Sequence, residues 1–185
     1  NIAPIPLARE LDCRLFGKEM PIKIRISISG CPNACTSPTM NEIGVVGKIR
    51  PIRNPGMCTG CGTCVEYCKE GALTIKGGVV TMDEDACVEC GTCIRSCPFQ
   101  IIGSGGVRYS VTVGGQRGRH PKTGKDLVSV DSPEKVIEVV EKLVYRVYRR
   151  AWSGRLLSQQ LDDIGFEEFA REIREQYRDN PGTVA

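Results

Sequence analysis

The sequence predicts an α+β fold in two parts. One is an outer α/β domain of strands and helices built from both ends of the chain, and the other is a cysteine-rich module inserted between two of its strands. Eight of the 11 cysteines lie between residues 58 and 97. Alternating apolar segments and amphipathic helical segments stand on both sides of that region. We place the outer domain at residues 1–53 and 106–185 and the insert at residues 54–105.

The composition narrows the class of protein. The chain has 185 residues, a formal net charge of +3 and 41% hydrophobic residues, which suit one ordinary domain or two small ones. The charge is too small to indicate nucleic-acid binding, and no apolar stretch approaches the roughly 18 residues of a transmembrane helix. The sequence shows no export signal at its start. We therefore expect a cytoplasmic protein that binds neither nucleic acid nor a membrane.

The outer domain is expected to begin with a helix and a strand. In residues 6–16, leucines recur at every fourth position, and Gly17 can end the helix. In residues 22–28, four isoleucines alternate with polar residues, as in a half-buried strand. Residues 43–46 predict a short second strand.

The region after the insert predicts two more strands and two helices. Residues 107–113 alternate between apolar and polar side chains, and residues 127–130 form the second apolar segment. Ser132 is expected to cap a long helix that has Pro133 at its first position. A last helix is expected at about residues 166–177.

The insert contains an internal repeat of the pattern C-x2-C-x2-C-x3-C. The two sets of cysteines are Cys58, Cys61, Cys64 and Cys68, and then Cys87, Cys90, Cys93 and Cys97. The odd total of 11 cysteines and the short gaps between them argue against a disulfide scaffold. The single histidine argues against histidine-ligated zinc.

This spacing is typical of ligands to a cubane iron–sulfur cluster. Four thiolates must surround the cluster at the corners of a tetrahedron. Three cysteines at two-residue gaps line one tight loop, so the fourth has to come from elsewhere in the chain. Glycines between them let backbone N–H groups approach the cluster. All-cysteine zinc sites are the alternative.

Residues 57–102 resemble the bacterial-type two-cluster ferredoxins, with Lys69 where that motif has proline. In that family each loop gives three ligands and the other repeat gives the fourth. The resemblance therefore implies two 4Fe-4S clusters. The first cluster would be held by Cys58, Cys61, Cys64 and Cys97, and the second by Cys87, Cys90, Cys93 and Cys68.

A second resemblance involves the cysteines before the insert. Residues 29–35 (Ser-Gly-Cys-Pro-Asn-Ala-Cys) follow the isoleucine-rich segment and precede residues 43–47 (Ile-Gly-Val-Val-Gly). Residues 111–117 (Val-Thr-Val-Gly-Gly-Gln-Arg) come after the insert. These stretches resemble the haem-and-cluster half of siroheme-dependent sulfite and nitrite reductases. Anaerobic and dissimilatory members of that family carry a ferredoxin insert at this place. The resemblance covers nearly the whole chain and implies the same fold.

The reductase resemblance implies further cofactor sites. A third, coupled 4Fe-4S cluster would be ligated by Cys31 and Cys35, and Cys35 would bridge that cluster to the siroheme iron. The resemblance also implies siroheme contacts from Asn33, Gly114, Gly115 and Arg117. The chain departs from the family because it has no C-x5-C pair. Cys13 has no partner at that spacing, and we expect it to be a small buried hydrophobic residue.

Two origins for this departure stay open. The chain can be the C-terminal part of a longer reductase, which we favour, or a natural relic that lost the haem site. The main functional hypothesis is electron transfer through two clusters as part of a siroheme-dependent sulfite or nitrite reductase, an oxidoreductase not competent in this chain alone. We assign no catalytic residue. The alternative is a non-catalytic ferredoxin-type carrier whose outer domain docks partners.

The expected partners follow from these two hypotheses. They are a redox donor protein or a reductase subunit, the N-terminal half of the reductase, or further copies of this chain. The expected substrate of that reductase is sulfite or nitrite.

Overall fold

The structure is a computed structural model that describes residues 1–177. The strands of this part are β1 (Ile26–Ser29), β2 (Ile43–Arg53), β3 (Leu73–Lys76), β4 (Val79–Met82), β5 (Ile102–Val113) and β6 (Lys125–Val130). The helices are α1 (Pro4–Leu15), α2 (Thr63–Glu66), α3 (Thr92–Ser96), α4 (Pro133–Arg150), α5 (Leu157–Ile164) and α6 (Phe166–Tyr177). The mixture confirms the predicted α+β class. The predicted outer domain also includes residues 178–185, which lie outside the described part.

The outer domain is built on a sheet with the strand order β1-β2-β5-β6. Strand β1 is parallel to β2, and the other neighbours are antiparallel. The long β2–β5 ladder runs from Ile43 opposite Val113 to Arg53 opposite Ile102. The residues between Arg53 and Ile102 therefore leave and return at one end of a two-stranded ribbon. The predicted division at residues 53/54 and 105/106 stays a prediction.

Strands β2 and β5 are longer than the sequence predicts. Beyond Gly47, strand β2 continues with Lys48 and Arg50, which interrupt the apolar pattern, and the ladder is irregular between Ile49 and Pro51. Proline has no N–H to donate to a ladder, so an irregularity at this point is expected. The two extensions pair with each other, and this pairing provides hydrogen-bond partners for their backbone N–H and C=O groups. The pattern of side chains gives no sign of such pairing.

Strand β1 is shorter than predicted, because it begins at Ile26 and not at Ile22. Its partner β2 begins at Ile43, which lies opposite Ile26 in the parallel ladder. Ile22 and Ile24 are half-buried against the core without a strand to pair with. The apolar residues before Ile26 therefore alternate because their side chains pack against the core, although this part of the chain forms no strand.

The core of the outer domain joins the sheet to helices α1, α4, α5 and α6. Helix α4 begins at Pro133, and the Ser132 hydroxyl accepts a hydrogen bond from the Lys135 N–H at 3.3 Å, which confirms the predicted cap. Helix α6 has the predicted bounds, whereas α5 was not predicted. Over the described residues, no helix is both long enough and apolar enough to cross a bilayer.

The expectation that Cys13 is buried is wrong. Cys13 is exposed on α1, whose buried residues are Leu7 and Leu11. A residue two positions after Leu11 is rotated by about 200° around a helix with 3.6 residues per turn. Cys13 therefore lies on the side of α1 that faces away from the core.

The insert has a hydrophobic core of its own. Its buried members are Cys64, Leu73, Val80, Cys97, Ile101 and Ile102. They come from α2, from the β3–β4 hairpin and from the residues around the start of β5. Apolar residues after the last cysteine of each repeat are therefore buried together. Within residues 1–177, the outer domain has one hydrophobic core and the insert has another.

Candidate metal centre

The first cysteine loop runs from the end of β2 to α2. Gly60 and Gly62 have φ angles of +67° and +79°, in the left-handed region that glycine adopts without strain. A Cβ on Gly60 would lie 2.6 Å from the carbonyl oxygen of Gly78, in the turn between β3 and β4. The loop therefore rests directly on the hairpin, and Gly62 leads into α2, where Cys64 is buried.

The second cysteine loop has the same local structure. Gly91 has a φ of +70° and leads into α3, as its counterpart leads into α2. In the first loop the Thr63 hydroxyl lies 3.6 Å from the Cys61 sulfur. In the second loop the Thr92 hydroxyl lies 3.3 Å from the Cys90 sulfur. The repeat in the sequence is therefore also a repeat in the backbone and in its contacts.

In the first group of cysteines, formed by the first loop and Cys97, neighbouring residues shift the pKa values of two thiols. Hydrogen bonds from the backbone N–H and then the hydroxyl of Thr63 lower the pKa of the Cys61 thiol. Burial, and then the neighbouring charges of Cys97 and Cys61, raise the pKa of the Cys64 thiol. Cys64 therefore has both a neighbour from its own loop and the last cysteine of the other repeat beside it.

The second group brings together cysteines from both repeats. Burial, followed by the charges of Cys87 and Cys90, raises the pKa of Cys93 to about 11. A small cavity is lined by Cys87, Cys90 and Cys93 and also by Cys68, the last cysteine of the first repeat. The cavity thus has thiols from both halves of the insert around it.

These residues fit a four-iron cluster in the type and number of their donors. Iron–sulfur clusters are held by thiolates, and N–H groups aimed at the sulfurs tune them. Within residues 1–177, no group of three or more Cys, His, Asp or Glu side chains is drawn close enough to hold a single metal ion. That finding concerns one ion, whereas each cysteine of a cubane binds a different iron.

The second loop is attached to the outer domain. The Ile49 N–H in β2 donates a hydrogen bond of 2.8 Å to the Glu89 carbonyl oxygen. Ile49 also forms a parallel bridge with Cys90. The Glu89 carboxylate accepts a bond of 2.7 Å from the Arg108 guanidinium in β5. Backbone and side chain therefore hold the Cys87–Cys93 loop on the ribbon that carries the insert. Sequence reasoning missed these contacts, because they join positions far apart in the chain.

The Cys31–Cys35 segment forms a tight loop after β1. Ala34 and Ser37 both have positive φ angles, of 50° and 47°. The Ser29 hydroxyl donates to the Cys31 carbonyl at 3.2 Å, which ties the start of the loop to the strand. Cys31 is half-buried, Cys35 is exposed, and Asn33 is exposed between them. The Cys35 thiol is therefore accessible at the surface of the chain.

The structure places Arg117 next to this loop. Its guanidinium donates hydrogen bonds to the carbonyl oxygens of Thr36, at 2.5 Å, and Ser37, at 3.3 Å. The Ser37 carbonyl also accepts from the Asn41 side chain at 2.9 Å. Arg117 and the Cys31–Cys35 loop, predicted separately from the sequence, are therefore brought together. The contact is to backbone carbonyls, which sequence reasoning did not anticipate.

Gly114 and Gly115 are buried where their loop crosses the segment before β2. A Cβ on Gly115 would lie 2.4 Å from the Thr39 oxygen and 2.5 Å from the Asn41 oxygen. The Gly114 N–H donates to the Glu42 carbonyl at 2.9 Å. These glycines therefore have a packing function in this chain, and their predicted contact with a cofactor stays a prediction.

A coupled cluster with siroheme does not fit the described residues by themselves. Of the 11 cysteines, eight belong to the two repeats and Cys13 lies on α1, which leaves Cys31 and Cys35 as two thiols for this site. The four thiolates that a cubane needs are therefore not assembled here.

A protein family described as the nitrite and sulphite reductase 4Fe-4S domain matches residues 5–181. The chain belongs to this family. The match includes the insert and both segments of the outer domain, so the resemblance to siroheme sulfite and nitrite reductases is confirmed at the level of the family.

Relatives of this reductase-family chain are longer proteins. The coenzyme F420-dependent sulfite reductase of Methanocaldococcus jannaschii is 35% identical over 173 residues, covering 91% of this chain and 27% of that protein. A subunit of the anaerobic sulfite reductase of Salmonella typhimurium is 31% identical over 83 residues, covering 43% of this chain and 24% of that protein. The matched region thus covers about a quarter of the length of either relative.

The fold of this family member also has a counterpart among solved structures. A crystal structure of dissimilatory sulfite reductase I matches with a TM-score of 0.65 and 18% identity. The match covers 90% of this chain and 46% of that one. This likeness shows the fold and confirms the reductase-like architecture that the sequence predicts.

Proposed function

We propose that the chain transfers electrons through two 4Fe-4S clusters as part of a siroheme-dependent sulfite reductase. The observation that carries the proposal is the grouping of thiols from both repeats in the insert, where Cys68 lines one cavity with Cys87, Cys90 and Cys93. Membership of the reductase family and the relatives named as sulfite reductases support the reaction.

In this proposal each cluster takes three ligands from one loop and one from the other. Cys58, Cys61 and Cys64 hold the first cluster with Cys97, whose charge acts on Cys64. The second cluster is held by the four cysteines of the cavity. The sharing ties the two halves of the insert together, so that loss of Cys97 removes a ligand from the first loop's cluster.

The chain's own residues provide the surroundings that a redox centre needs. Bound clusters would supply one-electron transfer at their irons. Burial of Cys64 and Cys97 keeps water from that side of the first group. The hydroxyls of Thr63 and Thr92 and the loop N–H groups lie against the sulfurs, where they can stabilise added negative charge. The Glu89 contacts hold the second loop at a fixed distance from the outer domain.

We further propose that Cys31 and Cys35 supply half of a coupled cluster site beside siroheme. The exposed position of Cys35 and the adjacent Arg117 support this assignment. The rest of the site would come from another part of a longer protein, from a partner subunit or from a second copy. Because Cys31 and Cys35 are two of the four thiolates that a cubane needs, we expect the chain alone to bind no siroheme tightly.

We also propose an electron donor and a cellular location for this function. A redox protein or a reductase subunit would deliver the electrons. Clusters of this kind persist in reducing surroundings, which supports a cytoplasmic location.

A second candidate is a ferredoxin-type carrier whose outer domain only docks partners. The isolated Cys31–Cys35 pair favours it, because two thiols do not hold a coupled cluster. Siroheme bound by a complex of the chain with its partner would favour the reductase.

The test of the proposed function is cysteine replacement under anaerobic conditions. Cys97→Ala is expected to remove about four iron atoms per chain, the content of one cubane. The matched control Cys13→Ala changes an exposed cysteine on α1 and should leave the iron content unchanged. Equal iron in Cys97→Ala and the unchanged protein would contradict the ligand assignment.

A further inference from the structure

We propose that the electron donor docks on the exposed residues around the first cluster, so that the first cluster receives electrons and the second passes them towards the outer domain. We call this surface the donor face and define it by Met57, Cys61, Pro98 and Phe99. The inference rests on the proposed function, because it requires both clusters.

The second cluster's loop is turned towards the outer domain. Gly91 is buried, and a Cβ at this position would lie 3.5 Å from the Ile49 Cβ. Glu89 is held by Ile49 through the backbone and by Arg108 through the side chain. Strands β2 and β5 therefore cover this side of the second loop. In this proposal the sheet of the outer domain is the part of the chain next to the second cluster, so electrons leave that cluster towards the sheet.

The two clusters differ in the exposure of their proposed ligands, because those of the second cluster are all half-buried. Exposed apolar side chains also stand beside them, with Tyr67 next to Cys68 at 56% exposure. Cys61 is exposed, although it is a proposed ligand. Met57, next to Cys58, is 66% exposed, and Phe99, two residues after Cys97, is 54% exposed. Pro98, which directly follows Cys97, is exposed as well. Large apolar side chains around a redox centre offer a partner the contact area that brief electron-transfer complexes bury.

The charges of the insert indicate which kind of donor fits. Residues 54–101 contain six carboxylates and three cationic side chains, a net charge of −3, in a chain whose total is +3. Arg108 and Arg50 face Glu89 and Glu84, respectively, at 2.7 and 3.9 Å. The carboxylates left for a partner are Glu66, Glu70, Asp83 and Asp85. Cluster thiolates add further negative charge. The donor is therefore a redox protein with basic residues around its own centre.

The experiment uses the full chain with both clusters assembled and reduced. Oxidised cytochrome c, a basic haem protein, serves as the probe of the donor face. Met57→Lys and Phe99→Lys replace an apolar contact with a charge that repels the probe. We expect each to lower the second-order rate constant about tenfold, the effect of losing one well-buried contact. The rate with the unchanged protein should fall as the salt concentration rises.

Two lysine variants serve as controls. Phe16→Lys changes a residue that is 82% exposed just after α1, and Ile52→Lys changes one that is 57% exposed on β2, the strand to which the second loop is attached. Both should keep the rate within about twofold of the unchanged protein, since neither contact is expected to be buried. Oxidation by a small neutral quinone should be equal in all four variants, because it needs no docking.

The outcomes separate this inference from the proposed function. Unchanged protein without iron and sulfide would overturn both. If clusters are present but Met57→Lys and Phe99→Lys react at the normal rate, the docking inference alone is wrong. It is equally wrong if Ile52→Lys slows the reaction as much as they do. A change from dimer to monomer in Phe99→Lys would mean that a second copy covers the face, and would also overturn it.

Discussion

The Arg108 guanidinium lies 2.7 Å from the Glu89 carboxylate and joins strand β5 to the second cysteine loop. Arg108 belongs to the outer domain, whereas Glu89 stands between two proposed ligands of the second cluster. Glu89 has a positive φ of 56°, and its carbonyl accepts the bond from Ile49. The pair therefore fixes the part of the insert through which electrons would reach the sheet.

Arg108→Gln should loosen this attachment without unfolding the chain. Half-exposed ion pairs contribute up to about 1 kcal/mol, and the Glu89 backbone bond remains in the variant. We expect faster amide hydrogen exchange in the loop from Cys87 to Cys93 and a small loss of unfolding free energy. Arg119→Gln, at an exposed position, is the control. Equal exchange in the two variants would show that the pair does not hold the loop.

The buried carboxylate of Glu42 should make the outer domain sensitive to acid. Burial alone would raise its pKa, but hydrogen bonds from the Arg25 side chain and backbone outweigh this, so the pKa lies below the usual 4.5. The charged form is therefore favoured in the folded state. Its contribution is present above pH 4.5 and is lost as the pH falls through the lowered value.

Glu42→Gln should remove this contribution. We expect a loss of about 2 kcal/mol at neutral pH, typical of hydrogen bonds to a charged group. The variant should also lose less stability than the unchanged protein between neutral and acid pH. Denaturant unfolding at several pH values measures both effects, with Glu19→Gln as the exposed control. Parallel pH profiles for Glu42→Gln and the unchanged protein would refute the explanation.

Gly115→Ala should disturb the packing between the glycine loop and the segment before β2. The added Cβ would meet the backbone oxygens of Thr39 and Asn41 at 2.4 and 2.5 Å. Overpacking of this kind costs about 1–3 kcal/mol. Gly103→Ala is the matched control, because no atom lies within 4 Å of a Cβ there. Thermal unfolding should separate the two variants; similar melting temperatures would mean that the loop moves aside easily.

The Thr92 hydroxyl should tune the second cluster. In the structure the Cys90 thiol donates to this hydroxyl at 3.3 Å. A cluster thiolate has no proton, so the hydroxyl would donate to it instead, and such a bond favours the reduced form. Thr92→Val removes the hydroxyl and keeps the shape. A bond of about 1 kcal/mol corresponds to a fall of roughly 40 mV for a one-electron couple. A redox titration followed by electron paramagnetic resonance measures it. Thr123→Val, at an exposed position between β5 and β6, is the control. An unchanged potential would exclude this role for Thr92.

The sequence predicted the helices and strands that are marked by a local pattern of side chains. The start of α4 at Pro133, the Ser132 cap and the bounds of α6 follow from local patterns, and all three are confirmed. The alternating pattern in residues 22–28 correctly predicted which side chains face the core. Its prediction of a strand is correct only from Ile26 onwards. The extension of β2 beyond Gly47 is held by pairing with β5, and backbone pairing leaves no mark on side-chain periodicity.

For the candidate site, the sequence predicted the cysteines but not what surrounds them. Spacing alone identified both loops, because three ligands at two-residue gaps need a tight turn. The Glu89–Arg108 pair and the contact of Arg117 with Thr36 depend on the tertiary fold, which spacing does not encode. The threonine contacts could have been foreseen, since Thr63 and Thr92 occupy the same place in both repeats.

The central claim, that the insert holds two cubane clusters, is tested most directly by iron and acid-labile sulfide analysis of the unchanged chain purified without oxygen. Two clusters predict about eight iron atoms and about eight sulfides per chain. Zinc in place of iron, or iron without sulfide, would contradict the claim.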